Sequence, residues 1–119
     1  MVVTDTNSQQ LVNMTDMQGQ AGDAVRLLKG FAHTTRFLIL CQLWDRELSV
    51  GELNERIDVS QSVLSQHLAV LRVDGLVHTR RDAQAIFYRL VDPKATRVLE
   101  LLRDLYCPHI HKNADDNHG

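Results

Sequence analysis

The sequence SQSVLSQHLAVLRVDGLV, at residues 60–77, contains the signals for the start, the buried face and the end of one helix. Ser60 suits the N-cap position, because its hydroxyl can accept a hydrogen bond from the first turn. Four apolar residues follow at helical spacing and predict the buried face: Val63, Leu64, Leu68 and Leu71. Gly75 stands where a residue just past a helix often needs a positive φ. The stretch therefore predicts a capped amphipathic helix that ends before Gly75.

Further helices surround this stretch, and a hairpin follows it. Apolar spacing predicts helices over about 21–32, 34–46, 51–57 and 93–107. Ser49 is available to cap the short third helix, and Pro108 cannot continue the last one. After Gly75 the period changes to two, so that LVHTRR and AIFYRL, separated by DAQ, predict a two-stranded hairpin. A short helix, a tight turn, a second helix and a hairpin indicate a winged helix-turn-helix, a mostly α fold with a small β-hairpin.

The polar face of the central helix has the side chains expected of a DNA-reading helix. Hydroxyl, amide and imidazole groups dominate it, at Ser60, Gln61, Ser62, Ser65, Gln66 and His67. Such groups can hydrogen-bond base edges and phosphates in a major groove. The hairpin adds Arg80, Arg81 and Gln84 near its tip, where basic side chains can reach a minor groove or the DNA backbone. We therefore expect both sets of residues to contact double-stranded DNA.

Overall composition fits one globular domain without a general affinity for nucleic acid. The 119 residues carry a net charge of −2, so DNA affinity must come from a local basic patch. Residues 72–94 supply one, with five basic and three acidic side chains. We expect a single domain over 1–119, with flexible polar tails at 1–10 and 112–119.

Several classes of function lack their sequence motifs. No apolar run approaches the roughly 20 residues of a membrane span, and the N-terminal sequence MVVTDTNSQQ lacks the regions of a signal peptide. A cytoplasmic protein without a membrane partner is therefore expected. There is no Cys-x-x-Cys pair and no glycine-rich phosphate loop. His67 and His78 have no evident partner for acid–base chemistry, so we expect neither an enzyme nor a cofactor.

Four segments resemble the arsenic-repressor (ArsR/SmtB) family of winged-helix regulators. They are LLKGFAHTTRFLILCQL, ELSVGEL, SQSVLSQHLAVLRVDGLV and RRDAQAIFYRL, and the resemblance extends over about 25–107. It implies a homodimer built by the first and last helices, which binds an imperfect palindrome with one recognition helix in each half-site. The chain departs from the family at His33 and Thr34, where Asp or Asn followed by Pro or Glu usually begins a helix.

The metal sites of that family do not match this chain. Members that bind arsenic, cadmium or lead often have two cysteines where this sequence has Ser49 and Gly51, and neither residue is a soft-metal ligand. Zinc and nickel members use histidines along the last helix, and residues 92–107 contain none. We therefore assign no metal site.

The two cysteines lie on different kinds of helix face. Cys41 shares an apolar stripe with Phe37, Leu40 and Trp44, a position that alone is typical of an inert buried thiol. Cys107 falls on the polar face of the last helix with Glu100, Arg103 and Asp104. The apolar face of that helix is predicted to be Val98, Leu101, Leu102 and Leu105. Cys107 is therefore either exposed or turned toward another element.

The cysteine positions resemble a dithiol branch of the same family, which contains a haemolysin regulator and sulfide-responsive repressors. Its members have one cysteine in an ILC helix and one in a terminal LYC, matched here by LILC at Cys41 and LYC at Cys107. The resemblance implies a redox switch formed by Cys41 and Cys107, which senses persulfides or other oxidants. It also implies that the reduced form binds DNA.

Two alternatives to this dithiol hypothesis stay open. A zinc- or copper-responsive repressor would use Cys107, His109 and His111, with Cys41 as a possible fourth ligand, at a spacing that matches no site of the family. A member without an inducer would act by displacing another DNA-bound protein, which makes anti-silencing activation an alternative to repression.

Overall fold

Five helices and three short strands form the part of the chain that the structure, a computed structural model, describes: the backbone of residues 2–107 and the side chains of residues 16–107. The helices are α1 (Val2–Phe31), α2 (Thr34–Gln42), α3 (Val50–Arg56), α4 (Gln61–Val73) and α5 (Pro93–Tyr106). The strands are β1 (Leu48–Ser49), β2 (Val77–Asp82) and β3 (Ala85–Leu90). The segment from α3 to the β2–β3 hairpin is the winged helix-turn-helix that the sequence predicts.

The sheet has one strand more than the predicted hairpin. β3 lies in the centre and pairs antiparallel with β2 on one side and with β1 on the other. Leu48 of β1 pairs with Tyr88, a contact that two residues of sequence cannot signal by periodicity. The hairpin turn is also shorter than the predicted three residues, because Asp82 pairs with Ala85. Ala83, in the remaining two-residue turn, has a left-handed φ of 56°.

The first two helices differ in length from the predictions. α1 begins at Val2 rather than near residue 21. It therefore includes residues 2–10, for which the sequence predicts a flexible tail because that segment has no apolar stripe. α2 ends at Gln42 rather than near residue 46, since the chain turns back there to bring β1 beside β3. Asp45, in this turn, has a left-handed φ of 67°. The predicted tail at 112–119 lies outside the described residues.

Side-chain caps begin α3 and α5. The Glu52 N–H donates to Ser49 Oγ at 3.1 Å, and the Ser49 N–H donates to Glu52 Oε1 at 2.9 Å, which makes a capping box. Asp92 Oδ1 accepts the Lys94 N–H at 2.8 Å, and Pro93 occupies the first turn of α5. The predicted cap at Ser49 is confirmed.

Both ends of α4 are fixed by local hydrogen bonds. Ser60 Oγ accepts the Val63 N–H at 3.2 Å, as the sequence predicts. At the other end Gly75 has a φ of 79°, and this turn lets the Leu76 N–H donate to the Leu71 carbonyl at 3.0 Å. This arrangement is a Schellman ending, so the orientation of α4 relative to the wing is set by local geometry.

One apolar core joins α2, α3, α4 and the strands. Its fully buried side chains are Ile39, Leu40, Leu43, Leu53, Leu64, Leu68, Leu71, Leu76 and Val77. The prediction that Val63 belongs to the buried face of α4 is wrong, because this side chain is 36% exposed. Gly30 of α1 faces the core, where a Cβ would overlap Leu76 Cδ1. No helix in the described part of the chain combines the length and the apolar character needed to span a membrane.

Candidate functional site

The solvent face of α4 presents most of the polar residues that the sequence predicts for DNA contact. Five of them are exposed: Ser60, Gln61, Ser62, Ser65 and Gln66. Leu64 and Leu68 are fully buried on the opposite side, and they fix the polar face relative to the domain. The Ser60 hydroxyl already accepts a backbone hydrogen bond, which leaves its own proton available to a phosphate oxygen.

His67 is only partly exposed, because its ring packs beside α2. The ring centroids of His67 and His33 are 4.2 Å apart, and Arg36 Nη1 lies 3.3 Å from His67 Nδ1. Since a guanidinium can only donate, His67 Nδ1 accepts, and the neutral ring carries its proton on Nε2. Burial, followed by the charges of His33 and Arg36, lowers the pKa of His67. His67 is therefore held as a neutral ring that joins α4 to α2.

His33 caps α2 at the position where the sequence departs from the resembled family. Its Nδ1 accepts the Thr35 N–H at 3.1 Å, so the imidazole does the work of an Asp or Asn side chain. Arg36 then donates to the Lys29 carbonyl from Nε at 3.2 Å and from Nη2 at 2.9 Å. The end of α1, the start of α2 and α4 are thus connected by one polar cluster.

The wing presents its three predicted DNA contacts in two different states. All three side chains are exposed, but Arg80 is also engaged within the domain. Its Nη2 lies 2.7 Å from Glu47 Oε1, and its Nε donates to both Glu47 oxygens at 2.9 and 3.0 Å. Its guanidinium also lies 4.8 Å from the centroid of the Phe87 ring. Hydrogen bonding to Glu47 raises the pKa of Arg80, so the guanidinium stays charged, and the Glu47 carboxylate balances that charge within an ion pair.

The two cysteines lie together, although sequence places them 66 positions apart. Both thiols are free and partly buried, and both line a cavity of about 540 Å³ between α2 and α5. The other lining residues are Phe37, Trp44, Leu99, Leu102, Arg103 and Tyr106. Of the two orientations that the sequence leaves open for Cys107, the structure has the one turned toward another element.

Electrostatics distinguish Cys41 within this cavity. Burial, and secondarily the negative charge of Cys107, raises the pKa of Cys41. Arg103 lies at the rim with its guanidinium 5.2 Å from the Trp44 ring centroid, a cation–π contact that fixes one wall of the cavity.

Apolar side chains also remain exposed on α1 and α5. They are Met17, Val25 and Leu28 on α1, and Leu101, Leu105 and Tyr106 on α5. Leu101 and Leu105, which belong to the predicted apolar face of α5, are exposed, whereas Ala95 and Leu99 form the buried face of this helix. α5 therefore has two apolar faces, and concentrated exposure of this kind marks an interaction surface.

The predicted metal alternative falls largely outside the structure. His109 and His111 lie beyond the described residues. Among the described side chains of residues 16–107, no group of three His, Cys, Asp or Glu residues could hold a metal ion. Ser49, which stands where soft-metal-binding members of the resembled family have a cysteine, uses its hydroxyl to cap α3.

The contacts that three residues make in these sites were not predicted from the sequence. His33 and Arg36 contact His67 from 34 and 31 positions away, and Glu47 reaches Arg80 from 33 positions away. Such pairings carry no local pattern. The exposure of Val63 could have been predicted from the sequence, since Val63 lies about 100° round the helix from Leu64 and so at the margin of the apolar stripe.

Known proteins resemble this chain in sequence and fold. The family model described as "Bacterial regulatory protein, arsR family" matches residues 33–79. The transcriptional activator HlyU of Vibrio cholerae is 52% identical over 96 residues, which cover 81% of this chain and 89% of that protein. The structure of reduced HlyU from Vibrio cholerae matches with a TM-score of 0.73 and 53% identity, over 77% of this chain and 97% of that one. The transcriptional repressor BigR from Xylella fastidiosa matches with a TM-score of 0.74 and 41% identity, over 79% of this chain and 96% of that one.

The matched range 33–79 runs from the His33 cap through the helix-turn-helix to the start of the wing. The likeness to whole relatives extends further, over about four-fifths of the chain. The chain therefore belongs to the arsR family of bacterial regulatory proteins and is a transcriptional regulator rather than an enzyme.

Proposed function

We propose that this regulator is a homodimer that binds an imperfect palindrome when its Cys41–Cys107 pair is reduced, and that linking the two thiols weakens binding. The observation that carries the proposal is the cavity between α2 and α5, which both free thiols line. One similar structure is described as that of reduced HlyU from Vibrio cholerae, and the fact that a redox state is specified for that protein supports the proposal. Reactive sulfur species or other oxidants are the proposed signals.

DNA contact is assigned to α4 and the wing. The exposed side chains of α4 that would enter the major groove are Gln61, Ser62, Ser65 and Gln66, with Ser60 and Nε2 of His67 beside them. Arg81 and Gln84 extend from the wing toward the DNA backbone. Arg80 has a smaller share in this contact, because Glu47 holds its guanidinium.

The chemistry of the thiol pair depends on the oxidant. A persulfide R–S–SH transfers its terminal sulfur to one thiol, which becomes Cys–S–SH while R–SH leaves; the second thiol then attacks the inner sulfur, so that a disulfide forms and hydrogen sulfide is released. A peroxide instead gives a sulfenic acid and an alcohol or water, and the second thiol displaces water to form the same disulfide. If both thiols are first converted to persulfides, the outer sulfur of one attacks the inner sulfur of the other, so that a trisulfide forms and hydrogen sulfide leaves; the cavity of about 540 Å³ leaves room for such a polysulfide bridge.

A bridge would connect two helices with different tasks. Cys41 belongs to α2, which packs against α4 and contacts it through Arg36 and His67. Cys107 ends α5, whose outer face carries the exposed Leu101 and Leu105 proposed for the dimer contact. Tying the end of α5 to α2 would therefore bias the dimer away from the spacing of its two recognition helices.

A mobility-shift titration tests this proposal. Duplexes selected from a random pool with the reduced protein would be titrated with reduced and with persulfide-treated protein. We expect linkage to weaken binding by about 10- to 100-fold, a usual range for allosteric coupling. Cys41→Ser and Cys107→Ser should both bind as the reduced protein does and lose the response. Equal affinity of the two wild-type forms would contradict the switch, and failure to select any duplex would contradict DNA binding itself.

Mass spectrometry of the treated protein identifies the oxidant class. A loss of two hydrogens would indicate a disulfide, and a gain of one or more sulfur atoms between Cys41 and Cys107 would indicate a polysulfide. Either product joining the two cysteines supports the proposal, and modification of only one cysteine contradicts it.

Activation and repression of transcription both occur among the names of the similar proteins. HlyU is named a transcriptional activator, whereas BigR is named a transcriptional repressor. The same winged helix can repress by blocking a promoter or activate by displacing a silencing protein. A reporter assay with the selected site placed inside a promoter, and then upstream of a silenced one, distinguishes the two.

A further inference from the structure

We propose that Val63 is a sequence-reading residue, which places its methyl groups against the C5-methyl of a thymine in each half-site. The inference rests on the proposed binding of α4 in a major groove and adds to it an apolar contact among the polar ones. Thymine is the base that this contact would specify, because only its C5-methyl presents an apolar group to the major groove.

The position of Val63 in α4 is the first argument. Leu64, Leu68 and Leu71 are all fully buried and hold the helix on the core, whereas Val63 is 36% exposed. It lies in the first turn of α4 with the exposed Ser62. Residues in the N-terminal part of a recognition helix are the ones that reach base edges.

The rigidity of Val63 is the second argument. The Val63 N–H donates to Ser60 Oγ at 3.2 Å, so the helix cap fixes the backbone of this residue. A β-branched side chain in a helix also has one strongly preferred rotamer. The methyl groups are therefore held in position before DNA binds, which lowers the entropic cost of the contact.

The absence of a packing gain is the third argument. Valine is a weaker helix former than alanine, and an exposed valine gains little from the core. Val70 and Val73 are also exposed on α4, at 41% and 85%. They lie about two and three turns further along, roughly 10 and 15 Å from Val63, in the C-terminal part of the helix, whereas residues in the N-terminal part are the ones that reach base edges. Val63 is therefore the valine whose position in α4 favours a base contact.

Replacing thymine by deoxyuridine tests this contact, since the exchange removes only the C5-methyl group. Each thymine of the selected half-site would be replaced in turn. Burial of one methyl group predicts that one such position weakens wild-type binding about fourfold, and about fifteenfold when both half-sites are changed. Val63→Ala should bind the thymine and deoxyuridine duplexes equally, and Val63→Ile should retain the preference.

Val70→Ala is the matched control, because it truncates an exposed valine of the same helix and should retain the full thymine preference. Equal wild-type binding at every substituted position would overturn the proposal, as would an unchanged preference in Val63→Ala. A Val63→Ala variant that binds DNA normally but alters the oligomeric state would also overturn it, and would assign Val63 to a protein contact. Since the wild-type affinity for the selected duplex is measured first, a failure of DNA binding is distinguishable from a failure of this contact.

Discussion

Cys41 is influenced by its neighbour even without a covalent bond. Burial is the larger cause of its raised pKa, and the negative charge of Cys107 is the smaller one. A raised pKa means that less of the reactive thiolate is present at a given pH. Alkylation of Cys41 should therefore begin at a higher pH than that of an ordinary cysteine.

Substitution of Cys107 separates these two causes. Cys107→Ser removes the charge and leaves the burial, so the pKa of Cys41 should fall only part of the way toward its ordinary value. Cys107→Asp restores a negative charge near the same point and should raise it again. The measurement is the initial rate of iodoacetamide labelling of Cys41 against pH, followed by peptide mass spectrometry. One common midpoint for all three proteins would mean that the side chains at 41 and 107 are too far apart to interact.

The wing is the element in which exposed and paired arginines can be compared directly. Both Arg80 and Arg81 are exposed, but Arg80 is held by Glu47 through contacts of 2.7 to 3.0 Å. Arg81→Ala should weaken DNA binding and reduce the slope of log affinity against log salt by about one for each phosphate that the protein no longer neutralises. Arg80→Ala should have a smaller effect on both quantities.

Glu47→Gln is the informative companion to these two variants. It removes the carboxylate that neutralises Arg80, so DNA affinity should rise and the salt slope should steepen. Titrations of the selected duplex at several salt concentrations give both quantities. Equal losses in Arg80→Ala and Arg81→Ala, with equal changes of slope, would show that the Glu47 pair does not hold Arg80 away from DNA.

The elements that sequence predicts well are those whose determinants are local. The caps at Ser49 and Ser60 and the positive φ of Gly75 depend on residues within one turn of each other. β1 has two residues and exists only through pairing with β3. A 2-residue strand of this kind cannot be recognised until the distant strand is in place.

The residues of the functional site also divide into those that local sequence patterns predict and those that depend on distant residues. The polar set on α4 follows from helical spacing, and the structure exposes five of its six members. The sixth, His67, is drawn toward α2 by His33 and Arg36, which no local pattern predicts. The placement of Cys41 and Cys107 in one site could be predicted only from the family resemblance, because both residues line a cavity that forms when α2 and α5 pack together.

At the scale of the whole molecule, the outer faces of α1 and α5 expose apolar side chains. Leu28 is 59% exposed, Leu101 56% and Leu105 62%. In the proposed homodimer these faces would be covered, and the distance between the two recognition helices would depend on them. Dimerisation and DNA affinity should therefore be lost together.

A charge placed on either face tests this coupling. Leu101→Glu or Leu28→Glu would bury an unpaired carboxylate in an apolar interface, at a cost of about 3 kcal/mol or more. The dimer dissociation constant should rise by at least about a hundredfold. Sedimentation equilibrium measures that constant, and mobility shifts with one or two half-sites should show that only the two-half-site affinity falls.

Val73→Glu is the control for these variants, because Val73 is 85% exposed and belongs to α4 rather than to α1 or α5. It should leave the dimer constant unchanged, and circular dichroism should give wild-type helix content for all three proteins. Dimers that persist in both Leu28→Glu and Leu101→Glu would contradict assembly through α1 and α5. In that case a bridge between Cys41 and Cys107 would have to weaken DNA binding by moving α2 and α4 within one subunit, and not by changing the dimer.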